Sequence, residues 1–453
     1  MPDGQQYRQY MVFSSGIYDT YRKGSREVET FIAGLWPTFV SGKVQIPRLP
    51  SLEWRYFPDD KAPIAAPPTA LVVPLSFPDL DALQRFLAEV AEKPDPSLLG
   101  IGADIPAVSI EQQTHWCPND APDPIFGRRA AAQRLIRADY LEQCHLTGRN
   151  VNIVIVDQGI DKSQIPPGNF GDGWTMGTHV PGAAPDGHGA MLVRNIRAIA
   201  PDAILFDCPV VPARIGDLPA FLSEIQAAYY RMLTDIATYR SRGQHLGPWL
   251  FVNAWALMDR REDNPSGTAG NYSNNPRHPF NQAVDTAAGS FDFVFGAGNG
   301  GQFCPDLRCG PNDRGPGQSI FGANCLGSVL TLGAVRTDAM WLGYSSQGPG
   351  QPNLEHKKPD LCAPSQFAED NDDRHANTGT SASTAIATGV VAALRQRWPT
   401  DVISPDDLKR VLILSARRSP GATWSERLGY GILDARRAYE LARFLYGNDG
   451  ADD

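Results

Sequence analysis

The chain has 453 residues, enough for two or three domains of ordinary size and for a large hydrophobic core. Hydrophobic residues make up 42% and charged residues 20% of the sequence, which excludes a wholly disordered or fibrous protein. The net charge of −9 excludes a general attraction to nucleic acid or anionic lipid, because the surface field repels polyphosphate and acidic headgroups.

The sequence pattern of residues 1–125 predicts a small α+β region. After a proline-rich break at residues 58–68, the apolar stretch TALVVPLSF predicts a strand, and PDLDALQRFLAEVAEK predicts an amphipathic helix. The pattern changes near Phe126, where we place the start of a second unit that extends to residue 445. Residues 446–453 form an acidic tail that we expect to be disordered.

Strands and helices alternate in the second unit, residues 126–445. A helix, RRAAAQRLIRADYLEQ, precedes a buried strand, VNIVIV, that ends just before Asp157. Further strands are predicted at Ala203–Cys208, Trp249–Ala254, Phe291–Ala297 and Ser328–Val335, with helices near residues 217–240, 279–288 and 383–398. Nearly continuous apolar strands between helices indicate a mainly parallel sheet covered on both faces. The predicted fold class is therefore α/β, a three-layer α/β/α body, with its ligand crevice beyond the carboxyl ends of the strands.

Two features bear on the compartment. The longest apolar runs are far shorter than the roughly 20 residues of a transmembrane helix, and the opening MPDGQQYRQY does not resemble a secretory signal. Seven cysteines are too few and too odd in number for a disulfide scaffold. We therefore expect a cytoplasmic protein. The disulfide state of Cys304, Cys309 and Cys325 stays open, with a local Cys304–Cys309 bridge as one alternative.

Three short segments each contain a residue capable of catalysis. Asp157 follows the VNIVIV strand, where an Asp alone is usually a turn former. His188 stands between two glycines in DGHGAMLVRNIRAIAPDA, and Ser381 stands in NTGTSASTAIATG, where it could be only a helix N-cap. Together they supply a hydroxyl nucleophile, an imidazole base and a carboxylate to orient the imidazole. Asn299, in FDFVFGAGNGG, would add an oxyanion donor to the backbone N–H of Ser381 at a helix N-terminus.

With these segments, the chain resembles a subtilisin-like serine protease, a subtilase, over about residues 126–445. Eight segments match in the family's order: Asp157-x-Gly159, Gly187-His188-Gly189, APDA at 200–203, GAGN at 296–299, YSSQGP at 344–349, KPDLCAPS at 358–365, GTSAS at 379–383 and GYGILDA at 429–435. The resemblance implies a serine endopeptidase in which Ser381 attacks a peptide carbonyl, His188 takes its proton, Asp157 steadies the imidazolium and Asn299 binds the oxyanion. A second candidate base, His179 in GTHVPG, is less suitable because Met176 stands where that motif would place the histidine.

The resemblance also implies a substrate-binding set. Its members are Ala254, Trp255, Ala256, Leu257, Ala297 and Gly298. The segment Asn253–Met258 stands where the family usually ends in small residues and glycines, so we expect its bulkier side chains to narrow or reshape the pocket for the residue before the cut bond. The loops at 259–278 and 302–325 are further candidates to crowd the cleft.

Two departures from the family suggest alternative functions. Ala385 stands four residues after Ser381, where the family has proline, and the smaller residue leaves room for an amine to attack the acyl-enzyme. Peptide ligation or cyclisation is thus one alternative. Ala190 and Met191 replace the usual Thr-His after His188-Gly189, which makes a catalytically silent binding protein the other.

The resemblance implies a peptide or protein as substrate. In placement, residues 1–125 resemble the prosegment that assists folding and blocks the cleft, and an unrelated N-terminal domain is the alternative. Calcium stabilises many members, and one loop here carries Asp370, Asp372 and Asp373. A run of acids is usually solvated surface, so we predict no cofactor and leave calcium as an open alternative.

Overall fold

A computed structural model describes residues 7–44, 69–109, 125–174, 180–184, 186–211, 220–257, 263–268, 270–301, 317–372 and 375–447. His179, Cys304, Cys309, Asp373 and most of the acidic tail lie outside these ranges. The statements below concern the described residues.

The N-terminal region contains a four-stranded antiparallel sheet and three helices. The strands are β1 (Tyr7–Ser14), β2 (Lys43–Val44), β3 (Ala70–Phe77) and β4 (Leu98–Ala103), in the order β2-β3-β1-β4. The helices are α1 (Tyr18–Lys23), α2 (Ser25–Leu35) and α3 (Leu80–Glu92). Asp79 caps α3 by accepting a hydrogen bond from the Ala82 N–H, which is why the helix begins directly after the PDL segment.

The alternation of side chains along β1 divides its residues between two cores. Met11 and Phe13 face the helices α1–α3, whereas Tyr10 and Val12 face the rest of the protein. All four are buried. The N-terminal sheet is therefore covered on both faces.

The central sheet has seven parallel strands. In chain order they are β6 (Asn152–Asp157), β7 (Phe170–Gly173), β8 (Ile204–Pro209), β10 (Trp249–Asn253), β12 (Asp292–Gly296), β13 (Leu330–Val335) and β14 (Leu361–Pro364). Their order across the sheet is β14-β13-β12-β10-β6-β8-β7, and all neighbours are parallel. The direction of strand progression reverses at β6, and the carboxyl ends of β6 and its neighbour β10 meet there.

Helices cover both faces of this sheet. They are α4 (Arg129–Ile136), α5 (Asp139–Gln143), α6 (His188–Arg197), α7 (Leu222–Ser241), α8 (Pro279–Ala288), α9 (Gly379–Arg397), α10 (Pro405–Ser415) and α11 (Ala435–Tyr446). Ile153 and Ile155 of β6 belong to the core with α6 and α9, and Val154 and Val156 to the core with α7 and α8. The predicted three-layer α/β/α body with its small N-terminal α+β region is confirmed.

Two short sheets complete the topology. The strands β5 (Pro106–Ser109), β9 (Ala220–Phe221) and β11 (Trp255–Leu257) pair in the order β11-β5-β9, all antiparallel. The second sheet pairs β15 (Phe367–Ala368) with β16 (Ala376–Asn377). No helix among the described residues is long and apolar enough to span a bilayer.

Some predicted boundaries differ from the observed ones. The single helix expected over 128–143 is two helices, α4 and α5, because Arg137 takes a left-handed conformation with φ of 55°. The helix expected from residue 383 begins at Gly379, so Ser381 lies inside α9 and Thr378 is the N-cap.

Candidate active site

Asp157 and His188 form a hydrogen-bonded pair. Asp157 is the last residue of β6, His188 is the first residue of α6, and the two are 31 residues apart in the chain. The Nδ1 atom of His188 lies 2.7 Å from Oδ1 of Asp157, and both side chains are buried. Because a carboxylate can only accept, Nδ1 carries the proton and Nε2 presents its lone pair as the basic atom.

Ser381 lies on the first turn of α9 and is fully buried. Two contacts hold this end of α9 against α6. The backbone N–H of Thr378 approaches Sδ of Met191, one turn after His188, at 3.4 Å. The side-chain amide of Asn195 donates to Oδ1 of Asn377 at 2.8 Å. The start of α9 therefore lies beside the first two turns of α6.

Asn299 is fixed to the residue that precedes Ser381. Its Oδ1 accepts from the backbone N–H of Thr380 at 3.0 Å and from the Thr380 hydroxyl at 3.2 Å. That hydroxyl also accepts from the backbone N–H of Gly298 at 3.2 Å. Because Oδ1 is held by Thr380, the two donors on Nδ2 point away from that residue. This geometry suits a side chain that donates to an oxyanion beside Ser381.

A close backbone approach sets the distance between the loop after Asp157 and the start of α6. A Cβ atom added to Gly189 would lie 2.0 Å from the carbonyl oxygen of Gly159 and 2.9 Å from its carbonyl carbon. Only glycine can occupy this position without displacing the backbone. Gly189 therefore lets His188 come within hydrogen-bond distance of Asp157.

β5 of the N-terminal region pairs with β11, the strand that contains Trp255–Leu257 of the predicted substrate-binding set. In this antiparallel pairing Ser109 lies opposite Trp255 and Ala107 lies opposite Leu257, so β5 runs toward the end of β10. The Trp255 carbonyl and the Gly296 carbonyl both accept from Nδ2 of Asn324, at 3.1 and 2.8 Å. The carboxyl end of β5 therefore lies near the end of β12, on the side where Asn299 and α9 meet.

Four residues of the predicted substrate-binding set are buried. The Trp255 ring is fully buried against Phe280 and Phe295, so the bulk of this side chain fills the core and not the cleft, and the narrowed pocket stays a prediction. Ala254 belongs to the main core. Ala297 packs in a small cluster with Ile320 and Cys325. Gly298 accepts from the Ser346 N–H at 2.8 Å.

The residues that depart from the family also lie in packed positions. Ala385 is fully buried in α9, where the Thr384 and Thr388 hydroxyls donate to carbonyls one turn earlier. Ala190 and Met191 are buried in α6. All of these side chains are therefore held in place by the helix packing behind the site.

The acidic loop makes ion pairs with its neighbours. His375 lies 2.7 Å from Asp372 through Nδ1 and 2.7 Å from Asp186 through Nε2, and these two contacts raise its pKa. Asp370 accepts from the backbone N–H of Ala130 at 3.0 Å. Within the described ranges, no group of three or more His, Cys, Asp or Glu side chains is arranged to hold a metal ion. Cys325 is a buried free thiol.

The Subtilase family profile matches residues 148–431, well over half of the chain. The chain belongs to the subtilase family. Members of this family are usually serine peptidases, and their substrates are peptides and proteins. A search of curated proteins gives no match.

Two features of the site were not predicted from the sequence. Thr380 anchors Asn299, and Asp207 in β8 accepts from the loop after Asp157 and from the segment before His188. A signal for Asp207 was present, because a carboxylate inside the apolar run ILFDCP must be buried in the strand. The Thr380 hydroxyl lies in the GTSAS motif, but nothing in the motif indicates which group it binds.

Proposed function

We propose that this subtilase is a serine endopeptidase in which Asp157, His188 and Ser381 form the catalytic triad. The observation that carries the proposal is the 2.7 Å hydrogen bond between Nδ1 of His188 and Asp157. This bond keeps the proton on Nδ1 and directs the basic Nε2 toward a nucleophile. The contacts of Met191 and Asn195 with the start of α9 support Ser381 as that nucleophile.

In the proposed mechanism, Nε2 of His188 removes the hydroxyl proton of Ser381 as its oxygen attacks the peptide carbonyl. The buried Asp157 carboxylate stabilises the imidazolium that forms. Nδ2 of Asn299 and the backbone N–H of Ser381 donate to the oxyanion. His188 then gives its proton to the leaving amine, and water releases the acyl group by the same steps in reverse.

The test is replacement of Ser381 by alanine. Turnover of a peptide substrate should fall roughly a million-fold, because the nucleophile and base act as a unit. A fluorophosphonate should label the wild-type protein at Ser381 and leave Ser381→Ala unlabelled. Undiminished cleavage by the variant would remove the serine mechanism. A folded wild-type protein that neither cleaves nor reacts with the probe would indicate the silent binding protein instead.

Ala385 supports ligation or cyclisation as a second candidate function. Its methyl group replaces a proline ring one turn after Ser381, and it is fully buried in α9. Mass spectrometry of peptide products formed with an added amine nucleophile measures the balance between hydrolysis and aminolysis. Because Ala385 is buried within α9, its effect on an incoming amine must act through the position of the first turn of that helix, and replacing Ala385 by proline should then lower the aminolysis fraction.

We further propose that the N-terminal region acts as an internal inhibitor of this site. The position of β5 between β9 and β11 supports this role, because a substrate would need the same backbone partners on β11. Incubated wild-type protein should be cut at or soon after Ser109, and Ser381→Ala should stay intact. Intact wild-type protein with full activity would favour a permanent N-terminal domain. The expected cytoplasmic location stays a prediction.

A further inference from the structure

Asp207 is a fully buried carboxylate in the strand next to the one that carries Asp157. Its Oδ2 accepts from the backbone N–H of Gly182 at 2.8 Å and from the backbone N–H of Ile160 at 3.2 Å. Its backbone carbonyl accepts from the Trp174 N–H at 2.8 Å. One residue therefore joins β8, the loop after Asp157 and the segment that precedes α6.

The two loops that Asp207 holds also bind each other. The Ala184 N–H donates to the Ile160 carbonyl at 3.1 Å, and the Lys162 N–H donates to the Gly182 carbonyl at 3.0 Å. The Asp207 carboxylate accepts one further N–H from each of the two loops. Without this acceptor, two buried N–H groups would lose their partner, and the two loops would lose a shared attachment to β8.

The same loop determines the position of the Asp157–His188 pair. Gly159 lies between Asp157 and Ile160, and its carbonyl is the group against which Gly189 packs. The Asp157 carbonyl in turn accepts from the N–H groups of Val210 and Val211, directly after β8, at 3.0 and 3.1 Å. A shift of the loop would therefore move Asp157 relative to His188.

Asp207 also adds a titratable charge near this pair. The ionisable groups that face it are Asp157 on β6, Asp172 on β7 and its neighbour Cys208, whose own pKa burial raises. The pKa of Asp207 is raised to about 7, chiefly by burial and in part by the charges of Asp157 and Asp172, while the two N–H donors act in the opposite direction. The carboxyl therefore changes charge near neutral pH.

We propose that Asp207 is a positioning residue for the Asp157–His188 pair: its carboxyl fixes the 158–160 loop, and its negative charge, when present, favours the protonated imidazole. This inference rests on the proposed peptidase function, in which only the neutral His188 can act as the base. Because ionised Asp207 favours the protonated His188, it should move the acid limb of the plot of activity against pH to higher pH.

The test compares Asp207→Asn with Asp207→Ala. Asparagine keeps an oxygen acceptor for the two N–H groups, so kcat at the pH plateau should stay within about threefold of the wild-type value. Because asparagine removes the charge, the acid limb of the kcat/KM profile should move to lower pH by several tenths to about one pH unit. Alanine also removes the acceptor and should lower kcat by about 10- to 100-fold. Asp263→Asn is the matched control. Asp263 is a half-buried carboxylate that also accepts backbone N–H groups, but it lies in the 263–279 segment, and loss of its charge should not move the acid limb.

A second measurement separates this inference from the peptidase function. The His188 imidazole is titrated by NMR in the Ser381→Ala background, with and without Asp207→Asn. A lower His188 pKa in the double variant supports the role of Asp207 even if the wild-type protein is no peptidase. An unchanged His188 pKa, together with wild-type kcat in Asp207→Ala, would overturn the inference.

Discussion

Replacing Gly189 by alanine should separate His188 from Asp157 without removing any catalytic side chain. The added Cβ would lie 2.0 Å from the Gly159 carbonyl oxygen, about 1.4 Å closer than an ordinary contact. The obstructing atoms belong to the backbone, so the start of α6 or the 158–160 loop must move by a similar distance. The present 2.7 Å bond between Nδ1 of His188 and Asp157 does not survive a separation of that size.

The expected loss follows from that displacement. A misplacement of about 1 Å in a catalytic group costs about 100-fold in rate, and complete loss of the carboxylate's support costs up to roughly 3 × 10⁴-fold. We therefore expect kcat/KM to fall between these limits. The assay is hydrolysis of a peptide substrate, with the rate of fluorophosphonate labelling at Ser381 as a second measure of activation.

Gly34→Ala is the control for the general effect of alanine in a helix. Gly34 lies in α2 of the N-terminal region, and nothing lies within 4 Å of a Cβ added there. This variant should gain up to about 1 kcal/mol of unfolding free energy and keep full activity. If Gly189→Ala is folded and also retains wild-type kcat and labelling rate, the close approach of α6 to Gly159 does not position the catalytic pair.

Three further predictions test the charges and the packing. The pKa of Asp207 in the folded protein is about 7, above its unfolded value, so the free-energy cost of ionising this buried group is absent below about pH 4 and grows as the pH rises to 7. Over that pH range, chemical denaturation should show the unfolding free energy of Asp207→Asn rising by up to about 4 kcal/mol relative to wild type. Parallel plots of unfolding free energy against pH for the two proteins would contradict this prediction. His375→Ala should lower the melting temperature more at pH 5.5 than at pH 8.5, because His375 forms its ion pair with Asp186 only when it is protonated, below its raised pKa. One third of the His375 side chain is exposed, so the loss of unfolding free energy should be less than about 1 kcal/mol. Tyr10→Phe should lower the unfolding free energy by about 1–3 kcal/mol, because the buried Oε1 of Gln226 would lose the Tyr10 hydroxyl that donates to it at 2.6 Å. An unchanged denaturation midpoint would show that the stability of the N-terminal sheet does not depend on this hydrogen bond.

The central sheet could be predicted from the sequence because its strands are nearly continuous apolar runs. VNIVIV is apolar on both faces, as burial between two helical layers requires, and the observed β6 ends at Asp157. Asp157 and His188 could be predicted for a related reason. Residues at the ends of parallel strands and at the starts of the following helices meet at one edge of the sheet, and the 2.7 Å bond bears out that juxtaposition.

Other features could not be predicted because they depend on tertiary contacts. The four residues of β5 carry no strong strand pattern and pair only where β9 and β11 offer free edges on both sides. The start of α9 was placed too late, because Gly379 adopts a positive φ of 69° and lets the helix begin immediately after Thr378. The burial of the Trp255 ring could not be predicted, because the aromatic residues that bury it lie on β12 and α8, far away in sequence.

The position of β5 between β9 and β11 has a kinetic consequence for the proposed self-processing. Cleavage of a bond in the same chain is a unimolecular reaction, so under that proposal self-processing should follow first-order kinetics with a half-time that does not change on dilution. The released N-terminal piece would still share a hydrophobic core with α7 through Tyr10 and Val12. The rate at which that piece dissociates, and not the rate of cleavage, would then determine the lag before an external polypeptide can bind at the site.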